Sequence, residues 1–182
     1  EVRPDLVLLS VGGNDIGVSE LLFGVLWGKG GELRSGVAPR IQALSKDLSE
    51  LEDFVQRRVG LRWPRQLVLV EYYDMAEGGE GAADASCAGR FAAEDEDLRL
   101  ATDAVIRPLN RQLGAAARRA GWTFVGGVRQ AFRRHGYCAP DSFLVSVQDS
   151  FRRQRSYFGA FHPNARGHEA VATLVYHSIQ SK

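Results

Sequence analysis

Two short motifs near opposite ends of the chain carry residue types that can do chemistry. The first is Val11-Gly12-Gly13-Asn14-Asp15, which directly follows an apolar run. Gly12 and Gly13 permit a tight turn, and the side-chain amide of Asn14 can donate a hydrogen bond to an oxyanion that develops on a substrate. Gly-Asn-Asp is also ordinary turn sequence, so a purely structural role for Asn14 stays open at this point.

The second motif is Phe161-His162-Pro163-Asn164-Ala165-Arg166-Gly167-His168. Because Pro163 suits the first turn of a helix, backbone geometry fixes the place of His162 just before that helix. We predict that His162 is a general base for a hydroxyl nucleophile, and the alternative is a helix-capping histidine. His162 and His168 lack the spacing of helical metal ligands, and no third ligand is evident, so no metal site is expected.

The charge balance and the apolar content bound the class of protein. The 182 residues include 23 Lys and Arg against 22 Asp and Glu, which gives a net charge of +1 and does not point to a nucleic-acid partner. Apolar residues make up 45% of the chain, yet no apolar run approaches the roughly 20 residues of a membrane helix. We expect one globular domain over residues 1–182, with no membrane span and no cofactor.

Strand-like and helix-like patterns alternate along the chain. Short apolar runs predict strands, and apolar residues at steps of three and four predict helices. The strands are predicted at 5–11, 66–71 and 122–125, the helices at 37–59, 96–120 and 163–180, and irregular segments at 74–89 and 126–161. This order predicts an α/β fold with a mostly parallel sheet and helices on both faces. The first strand, continuously apolar, is expected to be central and buried on both faces.

In such a fold, ligands bind at the carboxyl ends of the strands. Asn14 follows the first predicted strand, and Tyr72 and Asp74 follow the second. His162 lies just before the last helix, so all of these residues are expected at one rim, with Tyr72 and Asp74 lining a substrate pocket. Because three strands make a thin sheet, we expect further strands to precede residue 1.

Cys87 and Cys138 are the only cysteines of the chain. A disulfide between them would close a long loop and contribute about 4 kcal/mol through the entropy of the unfolded chain. The pairing favours a secreted or periplasmic protein, and the alternative is two free thiols in the cytosol.

Together, VGGND and FHPNARGH resemble blocks three and five of the SGNH (GDSL-type) hydrolases, a family of esterases and lipases. VEYYDM before Cys87 and HGYC around Cys138 are similar to the secreted, disulfide-bearing branch. The resemblance spans nearly the whole chain and implies a flavodoxin-like α/β/α sandwich in which a serine attacks an ester carbonyl. It makes His162 the base, Asn14 an oxyanion donor and Gly12 the loop glycine of block three.

Two elements of the family pattern are missing from residues 1–182. The Gly-Asp-Ser block of the nucleophile and the glycine of block two precede block three in the family, so the nucleophilic serine is expected upstream. The family's acid stands three residues before the histidine, and Gly159 occupies that position here. A backbone carbonyl at or near Gly159 is expected to orient His162 instead, with Asp149 as the other candidate.

Two functions therefore stay open. One is a serine-type carboxylic-ester hydrolase acting on a small-molecule or lipid ester, and the other is a catalytically inactive SGNH-like domain that binds a ligand or partner. The arginine-rich segments 132–135 and 151–155 are interpreted as solvated faces, because charge elsewhere balances them. An unpaired sheet edge beside the first strand predicts a homodimer or a complementing N-terminal segment.

Overall fold

The computed structural model describes residues 4–18, 20–21, 24, 30–59, 66–76 and 95–180. Most of the predicted irregular segment 74–89, including Cys87, lies outside these residues, as do residues 90–94.

Three parallel strands form the described sheet in the order β1-β2-β3. They are β1 (Val7–Leu9), β2 (Leu67–Val70) and β3 (Thr123–Val125). Val7 pairs with Leu67, and Val68 pairs with Thr123. The predicted α/β fold with a parallel sheet is confirmed.

The central strand of this sheet is β2, not β1. All four side chains of β2 are buried, and because successive side chains point to opposite faces, both faces of β2 are covered. β1 instead lies at an edge, where Leu6 is 42% and Leu8 53% exposed. The prediction of β1 as a central strand buried on both faces is wrong for the described sheet, because only β2 pairs with it there.

Helices occupy most of the remaining described chain. They are α1 (Gly30–Phe54), α2 (Asp95–Leu100), α3 (Arg107–Ala120), α4 (Val128–Ala131), α5 (Val147–Gln154) and α6 (Ala165–Gln180). A π-helical turn, Val55–Val59, extends α1, and another, Ala101–Ile106, joins α2 to α3. The predicted long helices are confirmed, although α1 begins before residue 37.

Local chemistry sets both ends of α3. Pro108 lies in its first turn and has no N–H to donate. The helix widens directly before it, where the N–H of Arg107 bonds to the carbonyl of Thr102, five residues back. At the other end, Gly121 adopts the left-handed φ of 70° and ends the helix after Ala120, where the predicted helix 96–120 also ends.

Helices α1 and α3 pack against each other and supply much of the core. Leu44, Leu48, Leu109 and Leu113 are all at most 2% exposed. Gly12, in the loop three residues after β1, lies directly on this layer, because a Cβ there would come within 2.9 Å of Cδ1 of Leu109. The loop that follows β1 is therefore seated on the helical core.

Two short helices occupy the segment 126–161 that was predicted to be irregular, namely α4 and α5. Helix α5 is preceded by Ser146, whose hydroxyl accepts the N–H of Asp149 at 3.0 Å. Ser146 and Asp149 have the spacing of a helix-start motif. This signal did not lead to a predicted helix, because the residues that follow show no apolar periodicity.

The close contact between Gly12 and Leu109 can be tested by substitution. Gly12→Ala places a Cβ at a φ of +97° and against Leu109, so we expect a loss of about 1–3 kcal/mol and a melting temperature lower by several degrees. Gly36→Ala is the control, because a Cβ at Gly36 meets nothing within 4 Å and alanine favours a helix. Equal melting temperatures for both variants would show that the loop is not seated on α3.

Candidate active site

A pair of tyrosines at the carboxyl end of β2 lies between the two sequence motifs. Tyr72 and Tyr73 stack with ring centroids 5.7 Å apart. Tyr72 contacts the first motif, because its hydroxyl fills the space that a Cβ on Gly13 would need. Tyr73 contacts the second, because its hydroxyl donates to the carbonyl of Phe161 at 2.9 Å. The pair thus brings both motif loops to one rim of the sheet.

The loop after β1 is closed by its own hydrogen bonds. The N–H of Gly17 bonds to the carbonyl of Asn14 at 3.0 Å, and that of Val18 bonds to Gly13 at 2.9 Å. The carboxylate of Asp15 accepts the N–H of Gly12 at 3.1 Å. Asn14 itself is exposed, and its side-chain amide makes no hydrogen bond with a described residue. Its backbone is therefore fixed while its amide is accessible to a ligand.

Asn110 of α3 holds the backbone of Tyr72 on both sides. Its carbonyl oxygen accepts the N–H of Tyr72 at 2.8 Å, and its amide donates to the carbonyl of Tyr72, also at 2.8 Å. Asn110 belongs to neither of the two sequence motifs. The available signal was an asparagine beside Leu109 in the middle of a helix, where this residue type is unfavourable unless it has a tertiary partner.

Burial keeps both tyrosine hydroxyls neutral. The Tyr73 ring stacks on the fully buried Phe132 with centroids 4.9 Å apart. Desolvation raises the pKa of Tyr73 far above its ordinary 10.0, and the neighbouring Tyr72 raises it further. Burial also raises the pKa of Tyr72, with a smaller contribution from the carboxylate of Asp15. Tyr73 therefore remains a hydrogen-bond donor at any physiological pH.

The backbone just before His162 has an unusual conformation. Phe161 has a φ of 65°, which a bulky residue rarely adopts. Val145 fixes it, accepting the N–H of Phe161 at 3.0 Å and donating to the carbonyl of His162 at 2.8 Å. Together with the Tyr73 hydroxyl, these bonds hold the strained residue in place. They also determine the direction in which the chain presents His162.

The imidazole of His162 is exposed, and its Nδ1 lies 3.2 Å from the carbonyl oxygen of Ala160. Because a carbonyl oxygen only accepts, this hydrogen bond places the proton of the neutral ring on Nδ1 and leaves Nε2 as an acceptor. The carbonyl in contact belongs to Ala160, one residue after the predicted Gly159. Gly159 instead donates its N–H to the hydroxyl of Ser150 at 3.1 Å.

Ser150 organises the turn that leads to His162. It is 1% exposed, and its hydroxyl donates to the carbonyl of Ser156 at 2.6 Å. The same oxygen accepts from Gly159 and from the side chain of Gln154. A Cβ on Gly159 would meet the side-chain amide of Gln154 and come within 3.0 Å of the Ser150 hydroxyl oxygen, so a larger residue there would disturb these hydrogen bonds. No pattern in the sequence distinguishes Ser150 from a surface serine.

Two candidate carboxylates have other roles. Asp149 accepts the hydroxyl of Ser146 at 2.9 Å and pairs with Arg152, so its charge serves the start of α5. Asp74 is fully buried and accepts the N–H of Ala76 at 3.0 Å. The prediction that Asp74 lines a substrate pocket is therefore corrected, because its side chain has no exposed surface. Tyr72 is half-buried and remains a candidate.

The described residues lack three features. No group of three His, Cys, Asp or Glu side chains could hold a metal ion there. No helix among them is long and apolar enough to cross a membrane. They contain no free thiol, and Cys138 is buried. Cys87 lies outside them, so its pairing with Cys138 stays a prediction.

Comparison with known proteins identifies the family. Residues 1–170 match the GDSL-like Lipase/Acylhydrolase family, and the chain belongs to this family of hydrolases. The resemblance drawn from the two motifs is confirmed. No curated protein matches the chain significantly.

Two solved structures share the fold. They are phospholipase A1 from Streptomyces albidoflavus NA297 and an extracellular lipase from Streptomyces rimosus. Each is 18% identical to this chain, with a TM-score of 0.58, and each match covers 96% of this chain and 69% of the other. At this identity the likeness supports the fold alone.

The raised pKa of Tyr73 predicts how the stability of the folded protein changes at alkaline pH. The pKa of Tyr73 is raised in the folded state, so its contribution to stability is complete below pH 10 and is lost as the pH rises past that value. Tyr73→Phe removes the titrating group and keeps the ring. We expect the variant to lose about 1 kcal/mol at pH 7 but to destabilise less steeply above pH 10.

Melting temperatures measured from pH 7 to 11.5 check this expectation. Tyr176→Phe is the matched control, because Tyr176 is 59% exposed on α6. Parallel alkaline curves for Tyr73→Phe and the unaltered protein would contradict the buried, hydrogen-bonded role of the hydroxyl.

Proposed function

We propose that this chain is the part of a serine-type carboxylic-ester hydrolase that supplies the general base, His162, and an oxyanion donor, Asn14. The observation that carries the proposal is the hydrogen bond from Nδ1 of His162 to the carbonyl of Ala160. In the neutral ring, this hydrogen bond leaves Nε2 without a proton and accessible on an exposed imidazole. Membership of the lipase/acylhydrolase family supports an ester of a small molecule or a lipid as substrate.

The reaction follows from these positions. Nε2 of His162 takes the proton of a serine hydroxyl while the serine oxygen attacks the ester carbonyl. The amide of Asn14 donates to the oxyanion of the tetrahedral intermediate. The intermediate collapses as the C–O bond to the alcohol breaks, and His162 gives its proton to the departing oxygen. Water then attacks the acyl-enzyme by the same proton transfers, releasing the acid and the free serine.

The nucleophile is proposed to come from outside residues 1–182. The four described serines of residues 142–161 are engaged in local structure. Ser142 accepts the N–H of Leu144, Ser146 precedes α5, and Ser156 accepts the N–H of Phe158. Ser150, the fourth, is buried with its hydroxyl fully used. A Ser-His dyad oriented by the carbonyl of Ala160 fits this arrangement, with the serine upstream as the family resemblance implies.

Activity measurements on the natural protein, including sequence upstream of residue 1, test the proposal. His162→Ala should lower kcat for a p-nitrophenyl ester by about 10³-fold or more, because the base is lost. Asn14→Ala should lower it by about 10²–10³-fold through loss of one oxyanion donor. His168→Ala, an exposed histidine in α6, is the matched control and should retain activity.

A fluorophosphonate probe distinguishes the alternatives. We expect a His162-dependent serine adduct in the longer protein and no adduct with residues 1–182 alone. An adduct on residues 1–182 would contradict a nucleophile outside them. Unchanged turnover in His162→Ala would contradict catalysis by this histidine, and absence of turnover and adduct in the longer protein would favour the inactive binding domain.

The open edge of β1 is proposed to pair with a complementing segment of the natural protein. The exposure of Leu6 and Leu8 supports this, because an unpaired strand with apolar side chains invites another strand. We expect amides of residues 6–10 to exchange with deuterium at least tenfold more slowly in the longer protein than in residues 1–182. Amides of β3 serve as the control. Equal rates at β1 would contradict the pairing, and a dimer of residues 1–182 in light scattering would favour the homodimer.

A Cys87–Cys138 disulfide and export to a secreted or periplasmic location complete the proposal for residues 1–182 as one domain. Support comes from the buried Cys138, from the lack of a free thiol in the described part of the chain, and from the extracellular lipase that shares the fold. Alkylation without reductant should leave the intact mass unchanged. A mass increase by two labels would contradict the disulfide.

A further inference from the structure

A cleft of about 630 Å³ opens beside α3 and β3. Four arginines line it, three from α3 and one from the start of α4. They are Arg107, Arg111, Arg118 and Arg129. One acidic residue, Glu71 at the end of β2, also lines the cleft, so the formal charge of the lining is strongly positive. The whole chain carries only +1, so this wall concentrates positive charge.

The three arginines of α3 that line the cleft lie along one face of the helix. Arg107 and Arg111 are one helical turn apart, and Arg118 lies two turns beyond Arg111, so the row spans roughly 16 Å. Gly114 lies between them, and a Cβ on it would be 3.5 Å from Nη1 of Arg118 and 3.6 Å from the ring of Phe124. Because Gly114 has no side chain, it leaves space in the cleft between the arginines. Phe124 contributes an apolar surface to the lining.

Other charges near the cleft are partly engaged. Arg107 pairs with Asp103 at 2.9 Å. The carboxylate of Glu71 accepts the N–H of Arg129 at 3.2 Å, at the start of α4. Arg111 and Arg118 are exposed, and neither forms an ion pair with a described residue. These two guanidinium groups are therefore available to an external anion.

We propose that this cleft binds a phosphate group, either free or as part of a phosphate ester. Guanidinium groups donate in a planar fork that matches two oxygens of a phosphate, and several forks around one cleft suit an anion with several oxygens and more than one charge. The site involves neither His162 nor Asn14, so it stands independently of the proposed ester hydrolysis.

Binding of inorganic phosphate by calorimetry tests the site. Arg111→Gln with Arg118→Gln should weaken phosphate binding at least tenfold. The control is Arg58→Gln with Arg153→Gln, which removes the same charge from exposed positions outside the cleft and should change Kd less than twofold. All four side chains are exposed, so both double variants should keep the melting temperature of the unaltered protein.

Vesicles distinguish the source of the phosphate. Phosphatidylcholine vesicles with and without phosphatidic acid are compared by flotation. Binding of phosphatidic-acid vesicles that requires Arg111 and Arg118 supports a lipid phosphate, whereas arginine-dependent binding of inorganic phosphate alone supports a free phosphate. Binding of neither, or equal loss in both double variants, would overturn the proposal. Tighter arginine-dependent binding of a short oligonucleotide than of either phosphate source would overturn it in favour of nucleic acid.

Discussion

The hydrogen bond from the Tyr73 hydroxyl to the carbonyl of Phe161 joins the sheet to the loop that carries His162. This bond constrains the loop because Tyr73 follows β2, a strand that is buried on both faces and so holds Tyr73 in a fixed position. Tyr72, the neighbouring residue, extends the same rigidity to Gly13. Two consecutive side chains after one strand therefore position both motifs, although the motifs are about 150 residues apart in the chain.

Polar side chains stabilise the loops at this rim. Backbone N–H and C=O groups of loops near the core need hydrogen-bond partners, and no sheet or helix supplies them there. Asn110 provides these partners for Tyr72, and Ser150 provides them for the turn around Gly159. Each is supplied by a helix, so the loops inherit the order of helices α3 and α5. The amide of Asn14 and the imidazole of His162 are exposed. Hydrogen bonds therefore fix the supporting residues Asn110 and Ser150, while the two candidate catalytic groups stay accessible.

Sequence patterns predicted the α/β class and the parallel sheet, and the two motifs indicated the family. This was possible because apolar runs, helical periodicity and turn residues are local signals. The edge position of β1 could not be predicted in this way, because an apolar run has the same appearance at an edge as at the centre. Burial of Asp74 and use of the Ala160 carbonyl depend on how distant loops fold together. Helix α5 carried a start signal at Ser146, but eight residues offered too little periodicity to support it.

A crystal structure of a longer protein that carries the proposed upstream serine, solved after reaction with a phosphonate ester, would show whether His162 and Asn14 lie beside the reacting serine. We expect a phosphonylated serine with Nε2 of His162 about 2.6–3.2 Å from the serine or leaving-group oxygen. We also expect the amide of Asn14 to donate to the phosphonyl oxygen. A phosphonylated serine remote from His162, or an Asn14 amide directed away from the adduct, would contradict this arrangement.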